Sequence, residues 1–245
     1  MRGKNRGKLV FLIIIIVITS SHIVLCQTIN STNGGRKPLI ITNVKHYENI
    51  VKQDNAQRMV LVKEVAPLIF LDLKYGTKDN FTGQVLYKQP QAFLRLEAAI
   101  ALKKANDEMR DSGYALKIWD AYRPYSVTKK MWALVHDRRY VANPAKGSAH
   151  NRGAAVDITL VKLNGEEVPM PTPFDDFTEK ASHHYMKLPE NVIRNRNLLK
   201  KVMHKQGFAA LPTEWWHYIL PDAVERFELL DIGFEELGKL KIYIR

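Results

Sequence analysis

An aspartate stands inside an apolar run in the stretch SAHNRGAAVDITL, residues 148–160. The run AAVDITLV, residues 154–161, predicts a β-strand that is buried along most of its length. Asp157 lies at the centre of that strand, and a carboxylate is buried at acceptable cost only beside a partner. Ligation of a metal ion is one explanation of its burial, and the alternative is that Asp157 is a neutral, hydrogen-bonded acid of the core. The fold must therefore bring a partner to Asp157.

A second stretch, TEWWHYIL at residues 213–220, places Glu214 three residues before His217. In an extended strand these two side chains would point to opposite faces. A bend or bulge at this point would let both face one cavity. The two tryptophans between them are predicted to be core or cavity wall.

The two stretches together contain the ligand types of a zinc site. His150, Asp157 and His217 offer two imidazoles and one carboxylate, which leaves a fourth zinc position for water. Gly153 and the alanines after it are predicted to let the backbone fold closely around the metal. Glu214 would then lie beside the metal-bound water and act as general base. Each residue alone also has an ordinary structural explanation, since single histidines are common at surfaces and in cores.

Helix and strand patterns are interspersed along the 245 residues. The predicted strands are residues 59–76, 114–124, 154–161 and EWWHYIL, with NGEE as a turn after the third. The predicted helices are residues 90–113, 125–140 and 189–208. Strict βαβ alternation is missing, which favours the α+β class. We expect a single domain with a central, mainly antiparallel sheet flanked by helices and a zinc site in a cleft.

The N-terminus has the composition of a secretory signal peptide over residues 1–26. Four basic residues and no acid precede the apolar run LVFLIIIIVI, and small or polar residues follow. This order predicts export, with the protein in the periplasm or cell envelope after cleavage. An uncleaved membrane anchor is the alternative, but the segment is short for a span. Residues 27–53 are predicted to be a linker or loose arm, and residues 54–245 the catalytic domain.

The chain is basic, with 37 Lys and Arg against 25 Asp and Glu, a formal net charge of +12. Four of those basic residues lie in the predicted signal peptide, which leaves +8 for the remainder. Lysines and arginines are scattered among acids, so nucleic-acid binding is not expected. Association with an anionic envelope surface is compatible with the charge, and no protein partner is implied. Cys26 is the only cysteine, so cleavage after it leaves neither a disulfide nor a cysteine ligand or nucleophile.

Three separated motifs, WDAYRP, SAHNRGAAVD and EWWHY, together resemble the zinc D-alanyl-D-alanine dipeptidases, the VanX-type enzymes. The similarity extends over about residues 71–218. The related D,D-carboxypeptidases carry proline and a single tryptophan near the second histidine, so the double tryptophan and tyrosine here resemble the dipeptidases more. The segment SHH, residues 182–184, also matches the family and is interpreted as supporting the site.

The resemblance implies one zinc per chain, held by His150, Asp157 and His217. It also implies that Glu214 is the catalytic base. Arg123 in DAYRP matches the arginine that steadies the developing oxyanion, although an arginine at the end of a strand is also a common structural ion-pairing residue.

Three further residues match the family's substrate contacts. KYGTKDNFTG points to Tyr75, and Ser148 corresponds to a serine that lines the substrate pocket. VPMPTPFDDF matches the family segment MG-x-x-FD and aligns Asp175 with the acid that receives the substrate ammonium group. Pro171 replaces the usual glycine and Asp176 is a second acid, so the choice between Asp175 and Asp176 stays open.

The expected activity is zinc-dependent hydrolysis of the dipeptide D-alanyl-D-alanine to two D-alanines, linked to cell-wall peptide turnover. An exported enzyme would salvage dipeptide or act on envelope material, whereas a resistance enzyme that destroys a wall precursor would stay inside the cell. Two alternatives are a D,D-carboxypeptidase that trims longer peptidoglycan stem peptides and a non-catalytic, zinc-folded module that binds wall fragments. The module would have no need of Glu214 or Arg123.

Overall fold

The computed structural model describes residues 38–135 and 141–240, in which strands and helices are interspersed along the chain. The strands are β1 (Ile40–Ile41), β2 (Met59–Leu61), β3 (Phe70–Leu71), β4 (Phe93–Arg95), β5 (Tyr114–Asp120), β6 (Ala155–Lys162), β7 (Ala209–Ala210), β8 (His217–Ile219) and β9 (Leu229–Leu230). The helices are α1 (Val44–Gln53), α2 (Val62–Val65), α3 (Leu96–Asp111), α4 (Tyr125–Leu134), α5 (Glu190–Lys205), α6 (Ala223–Arg226) and α7 (Phe234–Lys239).

The main sheet has five strands in the order β3-β5-β6-β8-β7. Strand β3 runs parallel to β5, and the other three pairs are antiparallel. Two small pairs, β2 with β4 and β1 with β9, lie outside it. The prediction of an α+β domain with a mainly antiparallel sheet is therefore confirmed.

Helices α3 and α5 cover one face of the sheet and form the larger core with it. Side chains alternate along a strand, so Val156, Ile158 and Leu160 of β6 share the face that packs on these helices. Asp157 and Thr159 share the opposite face, and both are buried as well. Burial on both faces explains why β6 is apolar almost throughout.

Part of the predicted linker belongs to the folded domain. Residues 44–53 form helix α1, which buries Tyr47 and Val51, four residues apart on one helix face. The Tyr47 hydroxyl accepts a hydrogen bond from the backbone N–H of Met59 (2.7 Å) and donates to the carbonyl of Gln57 (2.9 Å). The prediction of a loose arm is wrong for these residues because the apolar face of the helix packs against the rest of the domain.

Other element boundaries differ locally from the predictions. The predicted strand at residues 59–76 is broken into β2, α2 and β3, and the predicted helix at 90–113 starts only at Leu96 because β4 precedes it. The predicted helix at 189–208 is confirmed as α5, with Pro189 at its N-cap. The NGEE turn is confirmed too, since Val161 and Glu167 bridge across it and Gly165 has a φ of 88°.

Several predictions fall on parts of the chain that the structure does not describe. These are the signal peptide at residues 1–26 with Cys26, the first part of the linker up to residue 37, and residues 136–140 of the helix predicted at 125–140. The described part of that helix is α4, which ends at Leu134 with Val135 extended. In the two described ranges, none of the helices combines the length and apolar character that crossing a membrane requires.

Candidate active site

The register of three adjacent strands places a row of polar side chains across the sheet. Asp120 at the end of β5 pairs with Asp157 of β6, which pairs with His217 of β8. Directly paired residues point to the same face of a sheet, so all three side chains lie on the face opposite α3 and α5. They are 0%, 3% and 9% exposed. Strand pairing therefore brings these three side chains of the site together.

His150 reaches this row from a short 3-10 turn that precedes β6. Gly153 ends the turn in the left-handed region, with a φ of 67°, and a Cβ there would lie 2.4 Å from the sulfur of Met59. The left-handed turn therefore favours this glycine, and the end of the Met59 side chain occupies the space that a Cβ would take. The Nδ1 of His150 lies 2.7 Å from the carbonyl of Ala121. A proton on Nδ1 donates to this carbonyl, which leaves the lone pair of Nε2 for the site.

His150, Asp157 and His217 fit a single metal ion. The Nε2 of His150 lies 3.2 Å from the Nδ1 of His217 and 3.3 Å from the Oδ2 of Asp157. The Nδ1 of His217 lies 2.7 Å from the Oδ1 of Asp157. Ligand atoms at zinc-bond length on a tetrahedral ion lie roughly 3.3–3.5 Å apart. Small shifts of these three side chains would therefore make room for a zinc ion between them. Within the described ranges, this is the one group of such side chains whose ligand atoms all lie within 4.8 Å.

The electrostatics of the group also favour a cation. Burial opposes the ionisation of Asp157, but His150 and His217 outweigh it and lower the pKa of Asp157 below its usual range. Burial likewise opposes a charge on His150, yet the carboxylates of Asp157 and Asp120 raise the pKa of His150. The negative potential that favours a proton on His150 also favours a metal ion at the same place.

Asp120 organises the other side of the site. Its Oδ2 accepts hydrogen bonds from the Nε (3.0 Å) and Nη2 (2.7 Å) of Arg123, and its Oδ1 accepts one from the hydroxyl of Tyr87 (2.6 Å). The Arg123 guanidinium also lies 5.0 Å from the centre of the Tyr75 ring. Asp120 was not among the predicted site residues. The motif WDAYRP does show an acid three residues before Arg123 at the end of a strand, which is the pattern that could have identified it.

Asn151 ties the loop of His150 to the loop of Arg123. Its amide nitrogen donates to the carbonyl of Arg123 (2.8 Å) and to the hydroxyl of Thr128 (2.8 Å), and its oxygen accepts from the backbone N–H of Ser148 (2.9 Å). The hydroxyl of Ser148 accepts from the backbone N–H of His150 (3.2 Å). Ser148 therefore shapes this loop, and its contact with substrate stays a prediction.

Glu214 lies in a turn and not in the predicted strand, because β8 begins only at His217. The backbone N–H of His217 donates to the carbonyl of Glu214 (3.3 Å), and both side chains line one cavity. The bend that the sequence analysis required is thus confirmed. Burial raises the pKa of Glu214 to about 7, a value that suits a group that accepts and returns protons near neutral pH.

The SHH segment supports the Glu214 turn through its backbone. The N–H of Trp215 donates to the carbonyl of Ala181 (2.9 Å), and the N–H of His183 donates to the carbonyl of Pro212 (2.9 Å). The buried guanidinium of Arg196 donates in turn to the carbonyl of Ser182 (3.1 Å). These bonds clamp the chain on both sides of Glu214, in agreement with the interpretation of this segment as a support.

Asp175 lies at another side of the cavity. The hydroxyl of Tyr75 lies 3.2 Å from both of its carboxylate oxygens. Burial, and then the charge of Asp157, raise the pKa of Asp175 to about 8, and the positive charge of Arg123 offsets only part of this rise. The Oδ1 of Asp176 instead accepts from the N–H of Thr178 (2.9 Å), and Asp176 is absent from the described residues that line the cavity. The structure therefore places Asp175 in the site.

All eight predicted site residues line a single cavity of about 730 Å³. They are Tyr75, Arg123, Ser148, His150, Asp157, Asp175, Glu214 and His217. Apolar side chains such as Met131, Val141 and Leu220 complete its walls. The cavity thus combines a metal-binding group, a carboxylate outside that group, a guanidinium and a second carboxylate, which is the equipment of a metal-assisted hydrolase.

Replacing Asp120 by alanine is expected to destabilise the fold strongly, because it leaves the guanidinium of Arg123 buried without its partner. Losing one member of a buried ion pair costs about 3–5 kcal/mol, measured as the free energy of unfolding in urea. The matched control is Asp79→Ala, since the side chain of Asp79 is 78% exposed in its pair with Lys74 and should change stability by less than about 1 kcal/mol. Equal losses in the free energy of unfolding for the two variants would show that the ion pair of Asp120 with Arg123 does not stabilise the fold.

Comparison with known proteins agrees with this geometry. The family model Peptidase M15, described as D-ala-D-ala dipeptidase, matches residues 55–234. The chain is 36% identical to D-alanyl-D-alanine dipeptidase of Escherichia coli (strain K12), over 65% of this chain and 82% of the relative. It is also 36% identical to the enzyme of that name from Enterococcus faecium, over 62% and 85%. A solved structure, VanYB in complex with D-Alanine-D-Alanine, aligns over 63% of this chain and 87% of that chain with 14% identity and a TM-score of 0.37, too low a similarity to bear on function. The extent of the family match shows that the chain belongs to the D-Ala-D-Ala dipeptidase family of peptidases.

Proposed function

We propose that this protein is a zinc-dependent dipeptidase that hydrolyses free D-alanyl-D-alanine to two D-alanines. The observation that carries the proposal is the common cavity, in which the ligands His150, Asp157 and His217 face both Glu214 and Asp175. The names of the relatives in the same family support the choice of substrate.

Each of several side chains in the cavity has a separate role in the reaction. Zinc, when bound, supplies a Lewis acid and lowers the pKa of a water molecule at its open position. The carboxylate of Glu214 takes a proton from the attacking water and returns it to the nitrogen of the leaving D-alanine. Asp120 engages the Nε and Nη2 of Arg123, and the remaining N–H groups of the guanidinium are the donors for the carbonyl oxygen as it becomes negative.

Recognition of the amino end rests on Asp175 and Tyr75. The half-buried Asp175 carboxylate has a raised pKa, and the ammonium group of a dipeptide would supply a positive charge that stabilises its ionised form. Tyr75 holds the carboxylate through its hydroxyl. A longer stem peptide has a neutral amide at this position and would leave the acid unpaired, which argues against a D,D-carboxypeptidase.

The non-catalytic alternative explains less of the cavity. A module that only binds wall fragments has no use for a partly buried carboxylate beside the metal ligands or for a guanidinium positioned by a buried acid. Glu214 and Arg123 both line the cavity, and both have a role in hydrolysis. We therefore favour the enzyme.

We also propose that the protein acts outside the cytoplasm, in the periplasm or cell envelope, where it hydrolyses dipeptide from wall turnover. The support is the basic and then apolar order of residues 1–26, together with a positive net charge that suits an anionic envelope surface. The native protein is expected to begin near Gln27. N-terminal sequencing of protein purified from the source cells tests this, and a cytoplasmic protein that retains Met1 would refute it.

Replacing Glu214 by glutamine is expected to separate zinc binding from chemistry. The variant should keep about one zinc per chain, because Glu214 is not one of the three ligands, and should lose about 10²–10⁴-fold in kcat as expected for a general base. The control is His150→Ala, which removes a ligand and should lose most of the metal. Elemental analysis and D-alanyl-D-alanine hydrolysis measure both properties. Full activity in the Glu214 variant would rule out its role.

The free ammonium group is expected to be essential in the substrate. N-acetyl-D-alanyl-D-alanine should be cleaved at least about tenfold less efficiently than the free dipeptide, because it leaves the half-buried Asp175 without an ammonium partner. The comparison is made as kcat/KM on one enzyme preparation. Asp175→Asn should narrow the difference in kcat/KM between the two substrates, chiefly by slowing the cleavage of the free dipeptide. Equal efficiency of the wild type on both substrates would favour the carboxypeptidase instead.

A further inference from the structure

Arg95 contacts the turn that carries His150 without taking part in the catalytic cavity. It ends β4, is 1% exposed and is absent from the described residues that line that cavity. Its Nε donates to the carbonyl of Arg152 (2.7 Å), and its backbone N–H donates to the carbonyl of Gly153 (2.8 Å). Arg152 ends the 3-10 turn that begins at His150, and Gly153 follows it. Arg95 therefore holds the end of this turn with both its side chain and its main chain.

The rest of the Arg95 guanidinium bonds to two other segments of the main chain. Its Nη1 donates to the carbonyl of Gln57, and its Nη2 donates to the carbonyl of Glu228 (3.4 Å). The guanidinium carbon also lies 4.7 Å from the centre of the Phe227 ring. A guanidinium presents its donors in a rigid fork, so these bonds fix three segments relative to one another. The turn of the metal ligand is one of the three.

Tyr47 of α1 supports the same arrangement from a second layer. Its hydroxyl donates to the carbonyl of Gln57 (2.9 Å), the oxygen that also receives the guanidinium, and it accepts from the backbone N–H of Met59 (2.7 Å). The side chain of Met59 in turn fills the space beside Gly153 where a Cβ would lie. Tyr47 is 1% exposed, and it precedes residues 55–234 of the family match. Buried, direct contacts thus connect α1 to the turn of the metal ligand.

We propose that Arg95 and Tyr47 are positioning residues for the metal ligand His150. The other two ligands, Asp157 and His217, lie on paired strands, so strand register fixes their positions. His150 lies on a turn, where no strand register applies. The hydrogen bonds to the end of that turn supply the missing constraint. This inference rests on the proposed function, because it concerns the same metal site, and it assigns part of the zinc affinity to residues outside the catalytic cavity.

The test is the zinc affinity of the full chain, measured by competition with a chromophoric chelator at a temperature at which each variant is folded. Arg95→Lys keeps the charge but lacks the guanidinium fork, so it should bind zinc about tenfold or more weakly, as is typical when a residue that orients a metal ligand is changed. Tyr47→Phe removes one hydroxyl and should weaken zinc binding by a smaller factor. It keeps the test open if Arg95→Lys folds poorly.

Two controls separate positioning from general stability. Tyr114→Phe also removes one hydroxyl, from a half-buried tyrosine of β5 that forms no side-chain hydrogen bond within the described residues, and should leave zinc affinity unchanged. Leu102→Ala opens a gap in the core on the other face of the sheet. It should lower the free energy of unfolding while zinc affinity stays as in the wild type.

The visible absorption spectrum of the cobalt(II)-substituted protein gives a second readout, because it depends on the geometry of the ligands around the metal. Arg95→Lys should shift its bands, and Leu102→Ala should not. Unchanged zinc affinity in both Arg95→Lys and Tyr47→Phe overturns the proposal, and so does an equal loss of affinity in Leu102→Ala. A wild type that binds zinc but does not hydrolyse D-alanyl-D-alanine overturns the proposed dipeptidase function instead, which separates the two failures.

Discussion

The pairing of β5, β6 and β8 is the constraint on which the site depends. It sets Asp120, Asp157 and His217 side by side on one buried face of the sheet. A slip of one residue would turn Asp157 into the apolar core under α3 and α5, where a carboxylate has no partner. The apolar pattern of β6 that builds the core is therefore the same pattern that aims Asp157 at the active site.

The charges of the cavity follow from that arrangement. Five acidic residues line it, Asp157, Asp175, Glu214, Asp222 and Glu225, and Arg123 is committed to a sixth acid, Asp120. Among the described lining residues the acids outnumber the single guanidinium, so an added positive charge is favoured at two places, among the metal ligands and beside Asp175. A metal ion satisfies the first and a substrate ammonium group the second, so the electrostatic needs of the protein match the charges of the proposed reactants.

The remaining functional groups lie on loops, and buried polar side chains hold those loops. Asn151 joins the turn of His150 to the end of β5, while Arg196 anchors the segment that clamps Glu214. Tyr75 does the same for Asp175. Loops usually vary in position, but here each one is fixed by hydrogen bonds to groups that are costly to leave unpaired. The loops therefore carry these functional side chains, and the buried polar residues that support the loops fix their positions.

The sequence by itself determined the residue types of the site and the regular elements beside it. The motifs, read through their resemblance to the dipeptidase family, identified eight residues that line the cavity, and periodicity identified α3, α5 and β6, because these elements depend on local pattern. Only the tertiary structure decided that Asp120 partners Arg123, that Asp175 and not Asp176 enters the cavity, and that residues 44–53 pack as a helix. These outcomes depend on strand register and on contacts between residues far apart in the chain, which no local pattern specifies.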